Sequence, residues 1–124
     1  MDKTDLLLLA YLGDAVWEVL VREALVKICP DSAACNKKAL DYVQAKCQAE
    51  AAKRVRELFT EEEEALFLRA RNAKAHSVPK TADPYSYRLA TALEALVGRL
   101  YQKGEVERIR RLFSAAFPEL SGAE

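Results

Sequence analysis

Two carboxylates sit where helices normally keep apolar side chains. Asp14 lies within Leu12-Gly13-Asp14-Ala15-Val16, and Glu94 within Leu89-Ala90-Thr91-Ala92-Leu93-Glu94-Ala95-Leu96-Val97-Gly98. A buried carboxylate costs several kcal/mol unless its charge is compensated. Two of them on different helices can share one compensator. A divalent ion is the economical choice, because hard cations such as Mg²⁺ take oxygen ligands and need few from protein. The same acids could instead be hydrogen-bonded or paired with arginine, and spacing alone leaves both readings open. Thr91 shares a helix face with Glu94, as Ala10 and Glu18 do with Asp14. The small residues Ala10, Gly13 and Ala95 would let the two helices approach closely. Glu18 either orients water near the acids or pairs with Arg22, and the ion pair is the simpler reading.

The elements that must position these acids read as all-α, five to seven helices with no sheet. The first runs from residue 4 or 5 to residue 28 and stops before Pro30. Its apolar positions fall on more than one side, which marks a central helix. Residues 33–58 follow as helix, with a break expected near Gln44 or Ala45. Thr60-Glu61-Glu62-Glu63 is a capping-box start, and its acids suit the positive end of a helix dipole better than they suit a metal site. That helix ends in a basic turn through Lys74. Residues 75–82, with Pro79 in the middle, read as the longest loop. Asp83 as N-cap and Pro84 as first helical residue restart helix to Gln102, and Gly104 ends it. Residues 105–117 form a last amphipathic helix, and the chain beyond Phe117 shows no pattern.

The 124 residues, 51% of them apolar, read as one domain spanning 1–124 that can bury a core without disulfides. Cys29, Cys35 and Cys47 are odd in number and lack metal-ligand spacing, as suits thiols in a reducing cytosol. The N-terminus is acidic, unlike a signal peptide, and Gly13, Asp14 and Glu18 interrupt the apolar run. No membrane association and a cytoplasmic location are therefore expected. Net charge is zero, but the charge is segregated. Residues 36–56 hold six basic against two acidic side chains, and residues 69–88 five against one. Such stretches suit a polyanion partner, although solvated helix faces look alike.

At this point the sequence resembles a known family. Leu12-Gly13-Asp14-Ala15-Val16 is similar to the core of the ribonuclease III signature, and Leu93-Glu94-Ala95-Leu96-Val97-Gly98 to its second acidic motif. From about residue 8 to residue 113 the chain resembles the short bacterial branch, Mini-ribonuclease III, which has the nuclease domain and no double-stranded-RNA-binding domain. Ala10-Tyr11-Leu12-Gly13-Asp14-Ala15-Val16-Trp17-Glu18, Val43-Gln44-Ala45-Lys46-Cys47-Gln48-Ala49, Phe59-Thr60-Glu61-Glu62-Glu63-Glu64, Arg69-Ala70-Arg71-Asn72-Ala73-Lys74 and Tyr87-Arg88-Leu89-Ala90-Thr91-Ala92-Leu93-Glu94-Ala95-Leu96 carry the likeness. It implies a homodimeric bacterial endoribonuclease that uses Mg²⁺, with Mn²⁺ an acceptable substitute, to cleave double-stranded RNA. In the small branch the implied substrate is the precursor of large-subunit (23S) ribosomal RNA. Asp14 and Glu94 would be both the catalytic acids and the metal ligands, with Glu18 and Thr91 just behind them.

Departures accompany the likeness. Full-length relatives generally carry acids at the places of Ala10 and Thr91, although the Mini branch also has Thr at the second place. Ala70 stands where the Mini pattern typically has Gly. Arg71, Asn72, Lys74, His76 and Lys80 suit the gripping of phosphates without reading sequence. Lys46 and Gln48, in the other basic stretch, face either RNA or the acids. His76 is not needed as a general base where metal activates water. Tyr11 and Trp17 are expected in the core or a dimer interface. Two rivals remain: a non-catalytic RNA-binding or ribosome-assembly protein on the same fold, and an all-α nucleotide pyrophosphohydrolase using Glu61–Glu64.

Overall fold

The computed structural model describes residues 3–73 and 83–121, with side chains for 5–73 and 83–120. Seven α-helices and one 3₁₀ turn make up these residues, and no strand occurs among them. They are α1 (Lys3–Leu25), α2 (Ser32–Val43), α3 (Ala45–Val55), the turn Arg56–Leu58, α4 (Glu61–Asn72), α5 (Pro84–Gln102), α6 (Val106–Ala116) and α7 (Pro118–Ser121). The expected all-α class is what forms.

Local chemistry sets most boundaries. The Thr60 hydroxyl accepts from Glu63 N at 3.1 Å while the Glu63 carboxylate accepts from Thr60 N at 2.9 Å, a complete capping box for α4. Asp83 accepts from Ser86 N at 3.1 Å and caps α5. Gln44, extended at φ −72° and ψ 150°, separates α2 from α3 at the expected break. α1 ends at Leu25, three residues short of the expected end at residue 28. Its carbonyls are taken by a tighter pattern, Lys27 N to Ala24 O and Ile28 N to Leu25 O, as the chain turns ahead of Pro30. Val26 and Ile28, which suggested more helix, are exposed on that turn. The segment after Phe117, expected to be patternless, forms α7, and Leu120 is buried in the core.

α1 and α5 form the most extensive helix pair, and α5 also packs on α3 and α4. Two glycines bring that central pair into backbone contact. A Cβ on Gly13 would lie 1.7 Å from the Glu94 carbonyl oxygen, and one on Gly98 would lie 2.0 Å from that of Leu9. No side chain fits at either place. Behind α1, Trp17 makes edge contacts with Phe113 and Phe117, at centroid distances of 5.1 and 6.0 Å. This ties α6 to the helix that carries Asp14. No helix among the described residues is long and apolar enough to cross a membrane.

Candidate active site

Gly13 touches the main chain of Glu94, and Asp14 is the next residue along α1. The crossing therefore brings the two acidic side chains together, one from each central helix. Asp14 is exposed and Glu94 half-buried, so the pair forms a recess with one open side. Burial pushes the Glu94 carboxyl up to about 9; the negative charge of Asp14 and a hydrogen bond to Asp14 act in the same direction. A hydrogen bond from the Gln48 side chain opposes them and favours the ionised form. None of the ion pairs among the described residues involves either acid. The arginine-paired alternative is thus not what forms.

A half-buried acid in contact with a second acid, with no ion pair to either among the described residues, is a place where positive charge would be favourable. The donor set is two carboxylates, and no cluster of three or more His, Cys, Asp or Glu suited to a metal exists among the described residues. Two protein oxygens suit Mg²⁺, which keeps most of its waters, better than they suit Zn²⁺ or Ca²⁺. The residues fit such an ion.

Around the pair, Thr91 donates its hydroxyl to Tyr87 O at 2.9 Å and so brings no charge to replace a carboxylate. Ala10 is buried. Glu18 accepts from Arg22 at 2.8 Å, the ion pair expected for it. Lys46 and Asn72 are exposed, and half-buried Arg71 donates to Asn72 Oδ1 at 3.2 Å. Lys74, His76 and Lys80 lie outside the described residues. Of the two places open to Gln48, RNA or the acids, the structure has the second: it is 2% exposed, buried against Glu94. Its neighbours at helical spacing, Ala45, Ala51, Ala52 and Val55, carried the signal, since they mark the apolar face of α3. Gly98 was also missed as a contact, although it stands one turn after Glu94.

A cavity of about 900 Å³ between α4, α5 and the start of α6 lies on a different face of α5. Its charged lining is largely self-paired: Arg108 with Glu63, and Lys103 with Glu62 and Glu105. The acids Glu61–Glu64 are an N-terminal first turn there, not a set converging on a ligand, which removes the support for a pyrophosphohydrolase.

The fold and acid pair define a helical nuclease domain of the ribonuclease III type, and residues 7–105 match the Ribonuclease III domain. The Mini-ribonuclease 3 of Symbiobacterium thermophilum is 44% identical over 113 residues, covering 89% of this chain and 85% of the relative. That of Brevibacillus brevis is 42% identical over 122 residues, covering 96% and 90%. A crystal structure of a Fusobacterium nucleatum protein superposes with a TM-score of 0.81 at 31% identity, covering 88% of this chain and 89% of that one. The chain belongs to the ribonuclease III family, in its Mini-ribonuclease 3 branch, and is an endoribonuclease.

Proposed function

We propose that this endoribonuclease is Mg²⁺-dependent, with Mn²⁺ able to substitute, and cuts both strands of double-stranded RNA as a homodimer. Its proposed substrate is 23S ribosomal RNA precursor in the bacterial cytoplasm. The observation that carries the reading is the contact of Asp14 with Glu94 at a glycine-tight helix crossing, with neither acid in an ion pair among the described residues. Asp14 and Glu94 hold the ion. When bound, Mg²⁺ lowers the pKa of water and neutralises charge that builds on the phosphate. Glu94 would hold the ion from the half-buried side, and Asp14, exposed to solvent, would hold it from the side open to a phosphodiester. Lys46, Arg71 and Asn72, with Lys74, His76 and Lys80, grip the RNA backbone. Ala10 and Thr91 add no carboxylate, so Asp14 and Glu94 would be the two acids that hold the ion.

The homodimer is supported by an unpartnered apolar stripe on α1. Tyr11 is 81% exposed, and Leu8 and Val19 are each more than half exposed along the same side. A monomer rarely leaves such a stripe open. Two copies paired through it by a two-fold axis bury the stripe and set two acid pairs around one axis, one for each strand of a duplex.

The test is cleavage of a long double-stranded RNA, with Mg²⁺ or chelator, by the parent and by Asp14→Asn and Glu94→Gln. Mg²⁺-dependent cuts in both strands that disappear in both variants support the assignment. Cleavage that survives both substitutions overturns it. Intact RNA bound tightly by the parent would favour the non-catalytic assembly reading, with Ala10 and Thr91 as its cause. Discrete cuts in a 23S precursor duplex, absent from an unrelated duplex of equal length, would support the substrate.

A further inference from the structure

We infer that Gln48 is a positioning residue that holds Glu94 ready for the metal, rather than a contact to RNA. The inference rests on the metal-dependent reading above. It begins at the break between α2 and α3. Because Gln44 is extended, the carbonyl of Val43, the last residue of α2, has lost its place in a continuing helix. The Gln48 side chain supplies the missing partner, with Nε2 donating to Val43 O at 3.2 Å. Backbone N–H of Gln48 meanwhile donates to Gln44 O at 3.0 Å, which fixes the first turn of α3.

An amide nitrogen carries two hydrogens. One is held by Val43 O, and the other serves the hydrogen bond to the Glu94 carboxyl. The Val43 carbonyl also sets which end of the amide points where, because a flipped Gln48 would turn one oxygen toward another. Gln48 therefore presents a donor to Glu94 and fixes how that carboxyl group is oriented beside Asp14. Its own Oε1 is left buried without a partner among the described residues. Orphaned buried acceptors are rare. A side chain that keeps one here is held in this orientation for its nitrogen. With 2% exposure, Gln48 has no surface to offer a duplex.

The test uses Gln48→Met, which keeps length but not the donor, and Gln48→Glu, which sets a third carboxylate beside Glu94. Thermal unfolding, followed through the single tryptophan, Trp17, is titrated with Mg²⁺ in the absence of RNA. Affinity for a short RNA duplex is measured separately with chelator present. Gln48→Met should raise the Mg²⁺ concentration for half-maximal stabilisation about tenfold, the usual scale for losing a partner of a metal ligand. Gln48→Glu should lower that concentration, and both variants should bind duplex in chelator as the parent does. A merely structural amide would lower the metal-free midpoint and leave the Mg²⁺ response unchanged, which would overturn the inference. So would loss of duplex affinity in chelator with an unchanged Mg²⁺ response. If Gln48→Met does not fold, Gln48→Glu decides alone: an unchanged Mg²⁺ response overturns. A parent with neither a Mg²⁺ response nor Mg²⁺-dependent cleavage overturns the metal reading itself, and the inference with it.

Discussion

Glu63 and Glu94 are both carboxylates drawn into the helical packing, and their surroundings pull them in opposite directions. At Glu63, burial alone would raise the carboxyl. The Arg108 guanidinium and the Thr60 N–H outweigh burial and hold it below the usual range. Arg108 grips both oxygens, Nε at 2.9 Å and Nη2 at 2.7 Å, and Nη2 also donates to Leu58 O at 2.7 Å. At Glu94 the contacting charge is another carboxylate, and the carboxyl rises to about 9. Glu63 is neutralised by a cation of its own chain, whereas Glu94 takes part in no ion pair among the described residues. Raised and depressed carboxylates thus separate a candidate functional acid from a structural ion pair.

The largest expected break in this contrast comes from Glu94→Gln. RNA cleavage should fall by at least about a hundredfold, equivalent to roughly 3 kcal/mol of transition-state stabilisation. The metal-free protein should at the same time become more stable at pH 8, because folding no longer has to keep protonated a carboxyl that ionises in the unfolded chain. Cleavage rates and urea midpoints on one preparation check both. A loss of stability would mean that Glu94 is a structural acid like Glu63.

Glu63→Gln should do the reverse. Its side chain is 9% exposed and that of Arg108 21%. Breaking a buried pair by removing one charge costs about 3 kcal/mol, and a urea titration would show it. Cleavage per folded molecule should stay near the parent's. A selective loss of cleavage would tie the α4–α6 contact to the chemistry.

pH sharpens the difference, with opposite signs. Glu94 ionises near 4.5 in the unfolded chain and near 9 in the folded metal-free protein. Its contribution is complete below pH 4.5 and is lost as pH rises toward 9. Glu63, depressed on folding, contributes above its ordinary value and loses that contribution as pH falls through its folded one. In chelator, Glu94→Gln should flatten the decline in urea midpoint between pH 5 and 9. Glu63→Gln should leave that decline and soften the loss on the acid side. A parent without an alkaline decline would refute the raised carboxyl.

The smallest effect belongs to Arg56–Glu64, at 2.6 Å but with a third of each side chain exposed. Solvent screening limits such a pair to less than about 1 kcal/mol. Glu64→Gln should shift the urea midpoint accordingly, and a loss comparable to that of Glu63→Gln would remove burial as the distinguishing cause.

Much of this was legible because it is local. The Thr60–Glu63 box, the Asp83-Pro84 start and the Gln44 break are short-range chemistry that survives into the fold. So was the meeting of Asp14 with Glu94, since an acid amid Leu, Val and Ala is conspicuous and small residues flank both. What escaped depends on neighbours distant in the chain. Val26 and Ile28 look like helix yet lie exposed on a turn, and Leu120 finds its core only because α6 and α7 fold back. Gln48 looked like part of a basic surface because its two partners, Val43 O and Glu94, are set by a helix break and by another helix.

The contact of Gly13 with Glu94 and of Gly98 with Leu9 has a consequence for how this enzyme can vary. The spacing of the acids is measured by main chain against main chain, so it works as a ruler with no side chain in it. Surface substitutions on α2, α4 or α6 can retune RNA preference or thermal tolerance without recalibrating that ruler. Either glycine, by contrast, admits no alternative residue unless both helices move together. A library that spares these two positions explores specificity at constant acid geometry, whereas one that includes them mostly samples misassembled crossings.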